Sequence, residues 1–243
     1  MIRIGCAGWT LPVPVQAAFP PGPSHLQRYA QVFPACEINS SFHRPHQPAT
    51  WARWAEAVPA DFGFCAKLPR TITHERRLQD CGALLSTFLA QSAGLGDKLH
   101  CLLVQLPPSL AFDQAVAARF FGLLRDHHAG GIAVEPRHAS WFEPSVDGWM
   151  AGLRLARVLA DPVRHEAGRA PGGWPGLVYL RLHGTPRMYY SAYPSELLQA
   201  LARRLLLAQA GGAQVWCIFD NTAGQAAAGN ALELQRLVQT YGG

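Results

Sequence analysis

Lysine is nearly absent from this chain: Lys67 and Lys98 are the only two in 243 residues, so the formal charge of +5 rests mostly on arginine. Charged residues of both signs reach only 15% against 49% hydrophobic, a balance that excludes a disordered chain and suits a large buried core. The mild positive field favours anionic ligands in general, including phosphates, carboxylates and nucleic acid, and selects none of them. The six cysteines include no C-x-x-C pair. They read as small buried hydrophobes of a reducing compartment rather than as a metal or disulfide framework. No apolar run is long enough to cross a bilayer, and Met1 to Cys6 lacks a signal peptide's apolar region and already reads as a strand. A cytoplasmic protein without a membrane partner is the expectation. No G-x-G-x-x-G follows that first strand, which removes the main reason for a dinucleotide-binding sheet. Internal repeats and low-complexity tracts are also missing.

What is present is alternation. Short apolar runs at residues 2–6, 35–39, 62–67, 101–106, 132–136, 157–161, 177–183 and 214–219 are bounded by Gly, Pro or polar turns and read as strands. Between them lie amphipathic stretches at 26–33, 50–58, 81–92, 114–127, 146–153, 196–208 and 231–241 that read as helices. Eight such units in this length predict one domain over residues 1–243, an α/β parallel barrel of the TIM type, (β/α)8, with room for irregular or missing helices. Two stretches interrupt the rhythm: a proline-rich loop from Leu11 to Ser24, and a Gly- and Pro-rich one from Pro162 to Gly176. Both fall after strands, at the barrel face where binding loops gather.

Polar side chains close almost every strand: Glu37 and Asn39, Lys67, Gln105, Glu135 and Arg137, Asp161, Arg181 and His183, Asp220 and Asn221. Residues two apart on a strand share a face, so Glu37 goes with Asn39, Glu135 with Arg137, and Tyr179 with Arg181 and His183. Lone charges are costly inside a barrel. Four acids (Glu37, Glu135, Asp161, Asp220) against Lys67, Arg137, Arg181 and His183 come close to balance, as a self-satisfied network or as one partly spent on a ligand. Glu37 has a purely structural alternative, pairing with Lys67 or Arg181. His183 has one in a bond to a nearby carbonyl, and Asp220 and Asn221 in capping the next segment. Trp9, Phe42, Trp141 and the Tyr189, Tyr190, Tyr193 run supply faces that stack on sugars or bases, or else pack as lids.

A resemblance joins these signals. Gly5-Cys6-Ala7-Gly8-Trp9, Glu37-Ile38-Asn39-Ser40-Ser41-Phe42 and Phe64-Cys65-Ala66-Lys67-Leu68-Pro69 with Ile72-Thr73-His74 resemble the YecE-like proteins, the family of domains of unknown function numbered 72. Gln105-Leu106-Pro107-Pro108, Val134-Glu135-Pro136-Arg137-His138 with Ser140-Trp141, Asp161-Pro162, Tyr179 with Arg181-Leu182-His183-Gly184, and Asn221 with Asn230-Ala231 continue the pattern in order. The resemblance implies a TIM-like barrel and no established activity. Asp220 stands where many relatives carry Asn, and Pro136 where Phe is common, so a ligand inferred from other members need not transfer.

Three functions fit these residues. The leading one is an enzyme for a polar anionic small molecule of the sugar or sugar-phosphate type. In it Glu37, Lys67, Glu135 and His183 are catalytic, and Trp9, Asn39, Gln105, Arg137, Asp161, Arg181, Tyr190, Asp220 and Asn221 bind, with Arg137 and Arg181 clamping the anion. A metal-dependent phosphoesterase, endonuclease-like or isomerase barrel is the second, for which Glu37, Glu135, Asp161, His183 and Asp220 are suitable ligand types although two arginines and a lysine share the mouth; the cofactor has no signature in the sequence. A nucleic-acid-binding barrel is the third. The oligomeric state has no signature in the sequence.

Overall fold

The computed structural model describes residues 1–243. Its single sheet runs β7-β9-β10-β1-β2-β3-β4-β5-β6-β8. The strands are β1 (Ile2–Ala7), β2 (Ala35–Ile38), β3 (Gly63–Lys67), β4 (Leu99–Gln105), β5 (Gly131–Glu135), β6 (Leu155–Arg157), β7 (Leu159–Asp161), β8 (Gly172–Gly173), β9 (Leu177–Leu182) and β10 (Gln214–Phe219). Every pairing is parallel except that of β6 with the two-residue β8. β6 and β7 are one stave broken at Val158: its lower half pairs with β5 and its upper half with β9, which brings the barrel round to near closure. The lower half turns its other edge to β8 instead of β9. That approach needs glycine at position 173, where φ is +67° and a Cβ would lie 2.4 Å from the Leu155 carbonyl oxygen.

Helices α1 (His25–Ala30), α2 (Pro48–Glu56), α3 (Gly82–Ser92), α4 (Gln114–His127), α5 (Pro144–Gly152), α6 (Ser195–Ala210) and α7 (Ala227–Gly242) surround the sheet. Local chemistry sets their starts: Asp113 caps α4 by accepting from the N–H groups of Ala115 and Val116, and Pro48 and Pro144 open α2 and α5. After β7 no α-helix follows. The Gly- and Pro-rich segment replaces it and leaves a groove of about 880 Å³ between the outside of β7 and β9 and helix α6, lined by Leu159, Leu180, Trp174 and Leu201.

Strand alternation divides the buried residues in two. Outward side chains join the helices in a large core that includes Ile4, Leu102, Val104, Val134, Leu155 and Phe219. Inward ones form a separate cluster of 11 buried residues, among them Ala35, Cys65, Cys101, Leu103, Ala133, Ala156, Val158, Tyr179, Trp216 and Ile218. Continuing each inward row by two residues reaches Glu37, Lys67, Gln105, Glu135, Arg181 and Asp220. The barrel interior is therefore apolar below and ionic at the C-terminal ends of its strands.

Candidate active site

Arg181 occupies the centre of the ionic layer and is fully buried. Its Nε and Nη2 donate to the two oxygens of Glu37 at 3.0 and 2.7 Å, its Nη1 donates to Glu135 at 2.6 Å, and Nη2 donates again to Asp220 at 2.8 Å. Tyr179, directly below on the same strand face, donates its hydroxyl to Glu37 at 2.9 Å. Both Glu37 oxygens are thus taken. Glu135 is shared further, accepting from Gln105 Nε2 at 2.9 Å and from Arg137 at 3.0 and 3.2 Å. Despite its burial, the surrounding cations, Arg181 foremost, hold Glu135 well below the usual carboxylate range. Burial would also raise Asp220, but Arg181 and His183 pull it down.

His183 completes the layer. Its Nδ1 lies 3.1 Å from Asp220 Oδ2, while its Nε2 is buried without a hydrogen-bond partner, 3.6 Å from Glu135 Oε1. Burial works against its charge, yet Asp220 and Glu135 prevail and raise its midpoint. Lys67 is buried as well, but Arg181 has taken the carboxylates: its Nζ makes no ion pair or hydrogen bond and rests 4.0 Å over the Phe42 ring. Burial, reinforced by Arg181, lowers its midpoint to about 8. His74, stacked edge-on against the same Phe42, is pushed to about 4 by burial and then by Lys67 and Arg137, so it is neutral at pH 7. Beside His183, a recess of about 20 Å³ is bounded by Glu135, Arg137, Ala160 and Met188, room for about one water molecule.

Strand parity therefore brings Glu37, Lys67, Gln105, Glu135, Arg137, Arg181, His183 and Asp220 together, with Asn39 at the end of the Glu37 row and its Oδ1 buried and unpartnered. Other expected site residues lie elsewhere. Asp161 belongs to the outward row of β7, because Ala156 and Val158 point inward; its carboxylate accepts from Thr185 at 2.6 Å and Tyr193 at 2.7 Å. The interior thus holds three acids, not four. Asn221 also turns away, donating to Ser191 O and Asn230 Oδ1, and ties the loop before α7 to the loop after β9. Trp9 packs edge-on against Trp54 at 5.2 Å, and Tyr190 is exposed beneath the Arg187 guanidinium. Arg181, expected to clamp a ligand, spends its guanidinium on three protein carboxylates. Phe42, one of the expected loop aromatics, lies in the layer under Lys67, while Tyr179, His74 and Met188 join it without having been assigned to the site. For Tyr179 the signal was available, since it shares a strand face with Arg181.

No group of three His, Cys, Asp or Glu side chains is arranged to hold a metal ion; the carboxylates converge on a guanidinium instead.

Residues 3–242 match the family model described as "Protein of unknown function DUF72". The chain belongs to the DUF72 family. It is 31% identical over 168 residues to the UPF0759 protein YecE of Escherichia coli K12, a match spanning 66% of this chain and 59% of that protein. It is 24% identical to YunF of Bacillus subtilis across 98% of this chain and 95% of that one. Two solved DUF72 structures share the barrel. One, from Enterococcus faecalis V583, superposes with a TM-score of 0.83 at 23% identity, covering 98% of this chain and 96% of its own. The other, from Thermotoga maritima, gives 0.79 at 22%, covering 98% and 99%. The DUF72 match runs over the whole strand-end layer, from Glu37 to Asp220.

Proposed function

We propose that the strand-end mouth is an enzyme site for a polar, anionic small molecule of the sugar or sugar-phosphate type, worked by acid/base chemistry. The observation that carries this reading is the division of labour around Arg181. One guanidinium neutralises the three acids, so that the Lys67 ammonium has no ion pair, the Nε2 of His183 has no hydrogen-bond partner and Arg137 keeps part of its guanidinium free. Three cationic groups left without a full set of partners in a nearly dry site favour a ligand that brings its own negative charge. Arg137 is the anion fork in this scheme, because Arg181 has no free pair of donors. His183, whose midpoint Asp220 and Glu135 raise, is the general acid, and Lys67 stabilises charge that develops on a reacting oxygen. Glu37 and Glu135 position these cations, and Gln105 fixes Glu135.

The proposal is tested by thermal denaturation with a panel of sugar phosphates, free sugars, divalent metals and short oligonucleotides. A ligand present at a hundred times its Kd adds about 2.7 kcal/mol to stability, which in a domain of this size raises the Tm by about 5–10 °C. At least one sugar phosphate should do so with wild type and fail with Arg137→Ala. A panel in which only metals or only oligonucleotides stabilise the protein would replace this reading.

A further inference from the structure

Lys67 is the one charged group of the strand-end layer for which the protein provides no partner. Glu37, Glu135 and Asp220 all come to Arg181 within 2.8 Å, and none comes within 4.0 Å of the Lys67 amine. Arg137 pairs with Glu135, and His183 pairs with Asp220. The lysine is left against an aromatic face, and His74 packs edge-on against the same ring. The other lysine is treated in the opposite way: Lys98 Nζ donates to the carbonyls of Ala55 and Val58, which anchors the turn after α2. In a chain where arginine supplies nearly all positive charge, a lysine kept at this position and left unbound points to a use that arginine cannot serve, namely nucleophilic attack by a neutral amine.

We propose that Lys67 forms a Schiff base with a small carbonyl compound that also carries a carboxylate or phosphate, the anion resting on Arg137. This deepens the function proposed above and rests on it, with Lys67 now the bond-forming group rather than a charge stabiliser. The neutral amine adds to the carbonyl carbon: the C–N bond forms as the C=O π bond breaks, and the oxygen takes the proton of His183 Nε2. The added nitrogen releases one proton, which returns His183 to its charged form. That proton then goes to the hydroxyl, the C–O bond breaks, and water leaves an iminium bearing one positive charge. One amine, one carbonyl and one proton thus give one iminium and one water. Burial and Arg181 place the Lys67 midpoint at about 8, which makes the neutral form accessible near neutrality. The groups that set this midpoint are Arg181, Glu37, Glu135 and Asp220, with Arg137, His74 and His183 in the same layer.

The scarcity of lysine makes the test direct. Wild type, Lys67→Arg and Lys98→Arg are incubated with pyruvate, dihydroxyacetone phosphate or glyceraldehyde 3-phosphate, reduced with borohydride, digested and mapped by mass spectrometry. The thermal shift of each protein with the same compound is measured in parallel. The expected result is a reduced adduct on Lys67 with at least one compound, at least tenfold above that on Lys98, retained in Lys98→Arg and lost in folded Lys67→Arg. A compound that raises the Tm of wild type while leaving no adduct on Lys67 overturns the Schiff base and leaves the anion-binding site standing. No adduct and no thermal shift with these compounds or with the sugar phosphates removes both.

Discussion

His183 and Asp220 form the contact on which the site's acid function turns. Asp220 accepts from Arg181 and faces His183 Nδ1 at 3.1 Å, so replacing its charge with an amide acts on both neighbours. In Asp220→Asn the His183 midpoint should fall, followed by NMR of the imidazole, and stability at pH 7 should drop by about 1–3 kcal/mol for the lost charge-assisted bonds. An unchanged midpoint would assign the shift to Glu135 alone. The pH dependence has two limbs. Because His183 is raised in the folded state, its contribution is complete below its unfolded midpoint and disappears as pH rises through the folded one. Because Glu135 and Asp220 are depressed, theirs is present above the usual carboxylate range and is lost as pH falls through the lowered values. The pairing of these residues followed from strand parity, which the letters carry. The saturation of Arg181 did not, because nothing in a sequence says which of several bases meets three acids first.

At the scale of elements, β1 and β2 are joined by a side chain. The hydroxyl of Tyr29, from α1, accepts from Cys6 N–H at 2.7 Å and donates to Ala35 O at 2.9 Å, bridging the two strands where they diverge. Gly5 leaves space for it: a Cβ there would sit 2.8 Å from that hydroxyl and 2.0 Å from Ala35 O. Tyr29→Phe should cost about 1–3 kcal/mol, since it strips a buried N–H and a buried carbonyl of their partner. Urea denaturation checks this, and a loss near zero would show that the strands close on each other without the bridge. The tyrosine bridge has no periodic signature. The broken sixth stave is invisible for a related reason: residues 157–161 read as one strand, which leaves out Leu155 and Ala156, and the change of partner at Val158 depends on β8, which lies 14 or more residues away. Asp161 falls on the outer face for a simpler reason: the inward row is Ala156, Val158 and Ala160, not Leu159 and Asp161, and one residue of offset reverses a strand's faces. The Gly- and Pro-rich stretch after it, in contrast, announces the missing helix directly.

For the whole molecule, the repeat of strand and helix reveals the barrel because eight parallel staves demand seven crossovers, and six of them are helical enough to read, with a seventh helix after the last stave. The C-terminal ends of those staves then deliver their charges to a single layer. Arg181→Ala leaves Glu37, Glu135 and Asp220 buried without their common partner, so stability should fall by about 3–5 kcal/mol, or roughly 6–20 °C in Tm. The deficit should shrink as pH falls and the abandoned carboxylates take up protons, and a loss that does not vary with pH would assign it to packing instead. Arg181 takes the acids and leaves Lys67 buried and unpaired at the mouth. With only two lysines in the chain, NMR of protein labelled with ¹³C at the lysine ε-carbon gives two resolvable titrations. The Lys67 midpoint should lie near 8, identified by its disappearance in Lys67→Arg. A Lys67 midpoint at the ordinary value of about 10.4 would contradict it.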